Sequence, residues 1–358
     1  MHMTLGKARI GVVGAGWWST YTHIPGLLEN PNAELVAVCD TNEAARIRVV
    51  EAFAGLKVYE DLSAMLADES LDGVVVAVPH RAHHAVSAQC LNRGLHVMLE
   101  KPMTLTASDA DDLLTRATAC GAEVIVGYPW NFTRTAVRAR DVLSSMQLGG
   151  IQHVQCMHSS MVIEFYRGND AAYQPIFEWT VAGPGDVYAR PELSGGGQGH
   201  LQVTHSSGLM FFVTGLRAAR VSTLMNTFGL PVDLVNAMTV EFEGGSLGSV
   251  ASTGNVPVGD SGRLDLHVYC EDGYLLLDAI RGVLVIRSND GKVIEDRLDP
   301  EDTYPRFATA ANLVDVCLGA AKNGSPGEVG LRSVEMLDAA YRSADRDGAM
   351  VTVGELYA

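Results

Sequence analysis

The chain has 358 residues, of which 47% are hydrophobic and 19% charged, a make-up that excludes a disordered chain and suits a globular enzyme. Its length exceeds one ordinary core and predicts two domains. A formal charge of −16 argues against nucleic acid as a partner, because a polyanion needs a basic surface to displace its counterions, but it leaves room for a small anionic substrate held by local arginines.

In chain order, short apolar strands first alternate with helices. Strands are predicted at Arg9–Val13, Glu34–Cys39, Val74–Val78, His96–Leu99 and Glu123–Val126. Helices fit between them at Tyr21–Glu29, Glu43–Ala54, Leu62–Ala67, His83–Arg93 and Ser108–Cys120. This is the α/β pattern of a doubly wound parallel sheet, a Rossmann domain over residues 1–128. Beyond it the character changes. From Ile151 to Ile286 the apolar stretches read as strands, with hairpin turns at Glu243-Gly244-Gly245 and Glu271-Asp272-Gly273. One helix interrupts them at Gly199–Val213, and two more, Pro305–Ala321 and Leu331–Asp347, close the chain. Residues 129–358 are therefore expected to form an α+β domain with a large, mostly antiparallel open sheet. It would bind substrate and join copies of the chain into a homodimer or homotetramer.

The six cysteines stand singly and read as reduced core thiols. "KARIGVVGAG" lacks the apolar stretch of a signal peptide, and no apolar run approaches the ~20 residues that span a bilayer. A cytoplasmic protein without a membrane partner is the expectation.

The first strand runs into Gly14-Ala15-Gly16-Trp17-Trp18-Ser19 and then a helix. The first glycine permits a tight turn and the second a close approach to a pyrophosphate, which the free amides of the helix N-terminus would hold. Asp40 ends the second strand, where a carboxylate accepts hydrogen bonds from ribose hydroxyls and repels a 2′-phosphate. No arginine follows it directly, and Arg46 and Arg48 read as a solvated helix face. The cofactor expected from Gly14, Gly16, Trp17, Trp18 and Asp40 is NAD.

The fourth strand ends in "HVMLEKP", preceded by Pro79 and by His83 four residues later. Together with "IGVVGAGWW", "ELVAVCD", "VVVAVPHRAHH", "SGGGQGHLQVTH" and "LDAAYRSADRDGAMVTV", this resembles the glucose–fructose oxidoreductase / inositol dehydrogenase (Gfo/Idh/MocA) family along essentially the whole chain. The resemblance implies that Lys101 lies beside the nicotinamide and the reacting hydroxyl. It makes Glu100 a partner of Lys101 or a cofactor contact, and Pro102, often after a cis bond, a brace for the backbone. It places Pro79 and His83 near the cofactor. The dehydrogenases of the family pair a helical histidine with an aspartate four residues earlier. The histidine matches His205, but Leu201 stands at the aspartate's position. Gln202, three residues before His205, is left as an uncharged partner, and His205 is expected to have a less elevated pKa than an aspartate-supported imidazole.

Tyr128, Trp130, Asn131 and Arg134 follow the last Rossmann strand, where the family builds its substrate wall, although Pro129 departs from the asparagine or glutamine often found there. Trp130 suits stacking on a sugar, and Arg134 suits an anionic group. Tyr166, Arg167 and Trp179 are weaker candidates for the same wall. Adjacent His83 and His84 cannot share one site with His80, so no metal is expected. The resemblance implies an NAD-dependent oxidoreductase of a sugar, polyol or glycoside. The replacement at Leu201 keeps a second reading open, an NAD-dependent glycosidase that oxidises, eliminates, hydrates and re-reduces. A non-catalytic NAD-binding protein is a third, against which Lys101 argues.

Overall fold

The computed structural model describes residues 6–358. Six parallel strands form the first sheet: β1 (Ala8–Val13), β2 (Ala33–Cys39), β3 (Lys57–Tyr59), β4 (Gly73–Val76), β5 (His96–Leu99) and β6 (Val124–Val126), in the order β3-β2-β1-β4-β5-β6. The strands read as continuous apolar runs because helices cover both faces; every residue of β4 is buried. The order reverses between β1 and β4, and ligands of such sheets bind outside the carboxyl ends of the strands at that switch point. The turn after β1 and the Glu-Lys-Pro segment after β5 both lie on that edge. β3 escaped the sequence reading because Lys57 is exposed, Val58 and Tyr59 are only partly buried, and the three offer no apolar run.

Nine strands build the second sheet: β7 (Ile151–Ser159), β8 (Ala218–Asn226), β9 (Val235–Phe242), β10 (Leu247–Thr253), β11 (Arg263–Cys270), β12 (Gly273–Asp278), β13 (Val283–Ser288), β14 (Val293–Arg297) and β15 (Val351–Thr352). All pairs are antiparallel except β7 with β10. The two expected hairpin turns join β9 to β10 and β11 to β12. Helices Arg134–Ser144, Thr204–Thr214 and Gly327–Ala344 pack against this sheet on one side. The first of these was not foreseen. Thr133 caps it by accepting from the Ala136 N–H at 3.3 Å, and Ala136, Ala139, Val142 and Leu143 form its buried stripe.

The two units do not divide cleanly at residue 128. Helix Ala308–Cys317 returns to the first sheet, where Ala310, Leu313 and Val314 share a core with Ile10, Val12, Val75 and Met98. Ile125 of β6 also bridges to Pro326. By packing, the first unit is therefore made of two stretches of chain. No helix among the described residues is long and apolar enough to cross a membrane.

Candidate active site

The glycine turn is shaped for a dinucleotide. Gly14 has φ +97°, and a Cβ there would collide with the Ala77 carbonyl, so the turn needs glycine on both counts. A Cβ on Gly16 would meet nothing within 4 Å, which leaves open space above the backbone. The following helix opens with a π-turn, Ser19–His23, a widened geometry frequent at functional sites. Asp40 closes the turn from the end of β2. Its Oδ2 accepts from the Ala15 N–H at 2.7 Å and its Oδ1 from the Asn42 N–H at 2.8 Å. Arg46 is not on a solvated face. It folds back with its side chain only 15% exposed, donates to the carbonyls of Asp40 (2.8 Å) and Thr41 (3.0 Å), and pairs with Glu60 at 3.4 Å.

Glu100 and Lys101 sit at the end of β5. The Glu100 carboxylate is buried and fully engaged: Oε1 accepts from His23 Nε2 (2.8 Å) and Trp18 Nε1 (3.0 Å), and Oε2 from the Lys101 N–H (3.1 Å). Burial pushes its pKa up, but His23 and Lys101 outweigh that and hold it below the ordinary carboxylate value. The Lys101–Pro102 bond is cis. Lys101 Nζ reaches across to the second unit and donates to the Leu201 carbonyl at 2.9 Å. Burial lowers its pKa to about 8, with Glu100 opposing.

Leu201 thus contributes its main chain to the site. Its side chain points into a separate apolar cluster with Phe165, Tyr166 and Val232. Residues Gly199–Val203 form a second π-turn at the head of helix Thr204–Thr214, so the four-residue spacing from 201 to 205 does not place both side chains on one face. His205 is buried, and its Nδ1 has no partner among the described residues; Gln202 does not supply one. The Gln202 carbonyl instead accepts from Nδ1 of His158 on β7, at 3.0 Å. His158 was missed in the sequence because a single histidine in a strand carries no motif. Burial, with Lys101 and His158 nearby, holds His205 well below the ordinary imidazole pKa, and burial pushes His158 down to about 4.

The remaining candidates divide. Trp130 joins the cluster, its ring edge-on to His205 at 5.3 Å and to Tyr304 at 4.9 Å. Tyr128 is fully buried beneath helix Thr204–Thr214, with its hydroxyl 3.1 Å from Thr204 Oγ1. Asn131 turns toward Ser325, donating to its hydroxyl at 3.1 Å. Arg134 goes elsewhere: it pairs with Asp296 of β14 and donates to the Arg297 carbonyl at 3.0 Å, beside a surface concavity of about 450 Å³ along its own helix. Being at the first turn of that helix, it projects onto the sheet edge and not toward Lys101. Arg167 is exposed and paired with Glu164. Tyr166 is buried, its hydroxyl donating to Gln198 at 3.0 Å. Pro79 ends the strand-to-turn segment ahead of His80. His83 is wholly buried, its two nitrogens facing the carbonyls of Pro102 (2.7 Å) and Val78 (3.0 Å), so it braces Glu-Lys-Pro against the end of β4. His80 donates to the Ser194 carbonyl at 2.9 Å, while His84 faces Asp112 at 2.7 Å.

An aromatic cover closes the junction. Trp17, whose Nε1 donates to the Tyr188 hydroxyl at 3.2 Å, lies 5.7 Å from Phe177 and 5.3 Å from Trp179. The irregular stretch between β7 and the second π-turn carries these partners onto the glycine turn. Spread over sequence without periodicity, they could not be grouped beforehand.

Comparison with known proteins gives the same architecture. A profile described as the oxidoreductase family with an NAD-binding Rossmann fold matches residues 8–128, and one described as the GFO/IDH/MocA C-terminal domain matches residues 136–276. The chain is 24% identical over 350 residues to D-xylose 1-dehydrogenase (NADP(+)) 2 of Haloferax volcanii, covering 95% of this chain and 98% of the relative. It is 28% identical over 261 residues to rhizopine catabolism protein MocA of Rhizobium meliloti, covering 71% and 74%. Among solved structures, an inositol dehydrogenase homologue from Azotobacter vinelandii, complexed with NADH and myo-inositol, superposes with a TM-score of 0.76 at 20% identity, covering 97% of this chain and 98% of that one. Aldose-aldose oxidoreductase from Caulobacter crescentus, complexed with glycerol, superposes with a TM-score of 0.75 at 19% identity, covering 97% and 99%.

Proposed function

The chain belongs to the GFO/IDH/MocA oxidoreductase family, and from that premise we propose that it is an NAD-dependent dehydrogenase of a sugar or polyol hydroxyl. The observation that carries the chemistry is Lys101: a half-buried amine at the switch-point edge of the parallel sheet, tied to the second unit, with a pKa of about 8. Several relatives are named as dehydrogenases, and they lend the glycosidase alternative no support.

Gly14, Gly16 and the amides of the first π-turn would hold the pyrophosphate, and Asp40 the adenosine ribose. When bound there, the nicotinamide would supply the hydride acceptor for oxidation and, reduced, the hydride donor for reduction. Lys101 does the proton work. As a neutral amine, Nζ takes the proton from the substrate hydroxyl; as an ammonium, it returns one to the carbonyl oxygen. The Leu201 carbonyl fixes the direction of Nζ. His205, neutral at physiological pH, serves as a hydrogen-bonding partner to the substrate and leaves Lys101 as the titrating group. Trp130 supplies an apolar wall, and Glu100 holds Trp18 and His23 in place behind the lysine.

Asp40 supports NAD over NADP. Its carboxylate is locked by two backbone N–H groups, and Arg46, six residues on, is committed to main-chain carbonyls and to Glu60. The exposed face of the nine-stranded sheet, with Leu247 and Tyr269 outward, supports self-association. The test is to follow reduced-cofactor absorbance with NAD and with NADP over a panel of sugars and polyols. NAD-linked reduction, with kcat/KM at least roughly tenfold above that for NADP, is expected. Absence of any reduction would sink the dehydrogenase reading, and an NADP preference would sink the role of Asp40.

A further inference from the structure

Arg306 lies two residues after Tyr304, beside the aromatic cluster of the same junction. Its guanidinium stacks 5.0 Å from the Tyr21 ring and 4.6 Å from the Phe307 ring, and it makes no ion pair or side-chain hydrogen bond with any other described residue. Two independent series of contacts tie it to the reacting region. On one side Tyr21 lies 6.2 Å from Trp18, whose indole N–H donates to Glu100, the neighbour of Lys101. On the other, the main-chain N–H of Arg306 donates to the Tyr304 carbonyl at 2.8 Å, and the Tyr304 ring packs 4.9 Å from Trp130, itself against His205. The mount is built for closeness. Gly26 lets Phe307 seat on the first helix, since a Cβ there would lie 2.8 Å from the Phe307 ring.

We infer that Arg306 reads a carboxylate on the substrate, so that the sugar oxidised beside Lys101 is an acidic one of the uronate class. This rests on the dehydrogenase reading above. A guanidinium stacked on aromatic rings keeps its N–H edge free, and that edge matches a carboxylate bidentately. The stacking also pre-organises it, so little side-chain freedom remains to be lost on binding. The molecule as a whole carries −16, and a fixed local cation is what an anion would need to enter. A monoanion fits better than a phosphate dianion. The other cation of the junction, Lys101, is turned to the Leu201 carbonyl and carries the proton step, while burial lowers the pKa of His80, His83, His158 and His205.

The experiment pairs D-glucuronate with D-glucose, and D-galacturonate with D-galactose, on the wild type and on Arg306→Gln and Arg306→Lys, with NAD as oxidant. The wild type should favour each acid over its neutral partner by roughly 10- to 100-fold in kcat/KM. Arg306→Gln should collapse that ratio toward one, mainly through the KM of the acid, with Arg306→Lys between. A wild type indifferent to the carboxylate, or a ratio unchanged in Arg306→Gln, overturns the inference. If no sugar is oxidised at all, the dehydrogenase reading fails by itself, and calorimetric binding of D-glucuronate to the NADH-loaded protein decides the point. Binding lost in Arg306→Gln upholds the carboxylate site, and no binding to the wild type overturns it.

Discussion

The pKa of Lys101 is set near working pH, and the consequence can be signed. Burial lowers the lysine to about 8, so the amine is mainly protonated at pH 7 and mainly neutral at pH 9. Oxidation needs the neutral amine; its kcat/KM should rise with pH through about 8 and then level off. Reduction needs the ammonium and should fall over the same interval. Lys101→Met should lower both by at least ~100-fold and remove the step. A wild-type profile flat between pH 7 and 9 would reject the lysine as the proton carrier. Glu100→Gln should cost about 2–3 kcal/mol in urea unfolding, because a buried carboxylate that accepts hydrogen bonds from His23, Trp18 and the Lys101 main-chain N–H is lost. An unchanged midpoint would mean that the carboxylate is not coupled to folding. At this scale Gly14, Gly16, Asp40 and Lys101 were legible because each is marked by a strand end in sequence. Arg46, His158 and Arg306 were not, since their relevance comes from neighbours 5 to more than 40 residues away.

Among the elements, the glycine run before His205 shows how a motif can be legible while its reason is hidden. Asp233 receives the N–H groups of Gly197 (2.7 Å) and Gly199 (2.8 Å), and the Tyr341 hydroxyl donates to it at 2.7 Å. A Cβ on Gly199 would stand 2.5 Å from that hydroxyl. The glycines are there so that the π-turn can press against helix Gly327–Ala344. Gly199→Ala should therefore destabilise the protein by about 1–3 kcal/mol and displace the Leu201 carbonyl that Lys101 uses. Thermal melting together with the KM for the sugar checks this, and wild-type values in both would show that the contact has slack. The sequence reading assumed an ordinary helix here, where positions four apart share a face. The π-turn broke that assumption, which is why Leu201 looked like a gap in the machinery and is instead a source of a main-chain acceptor.

For the whole molecule, the alternation of strand and helix and then of strand and hairpin foretold two units, and both sheets are present. The boundary was harder. Helix Ala308–Cys317 belongs by packing to the first sheet although it follows the second in sequence, and nothing local to "ATAANLVDVC" says which sheet it covers. The open face of the nine-stranded sheet leads to the last expectation: Tyr269→Glu or Leu247→Asp should reduce the mass seen by light scattering to that of one chain. A wild type already of that mass would remove the sheet face as an interface. What the sequence by itself determined was the part of the protein written in short-range pattern: a strand, the glycine turn that follows it, a carboxylate at the end of the second strand and a lysine at the end of the fifth. Those groups act through backbone geometry, which adjacent residues dictate. Only the tertiary structure decided that Nδ1 of His205 has no partner among the described residues, which carbonyl holds the lysine, and that Arg306 lies against aromatic rings while Arg134 is ion-paired. Burial, desolvation and side-chain pairing depend on residues far apart in the chain, and those are the forces that set charge and direction in this site.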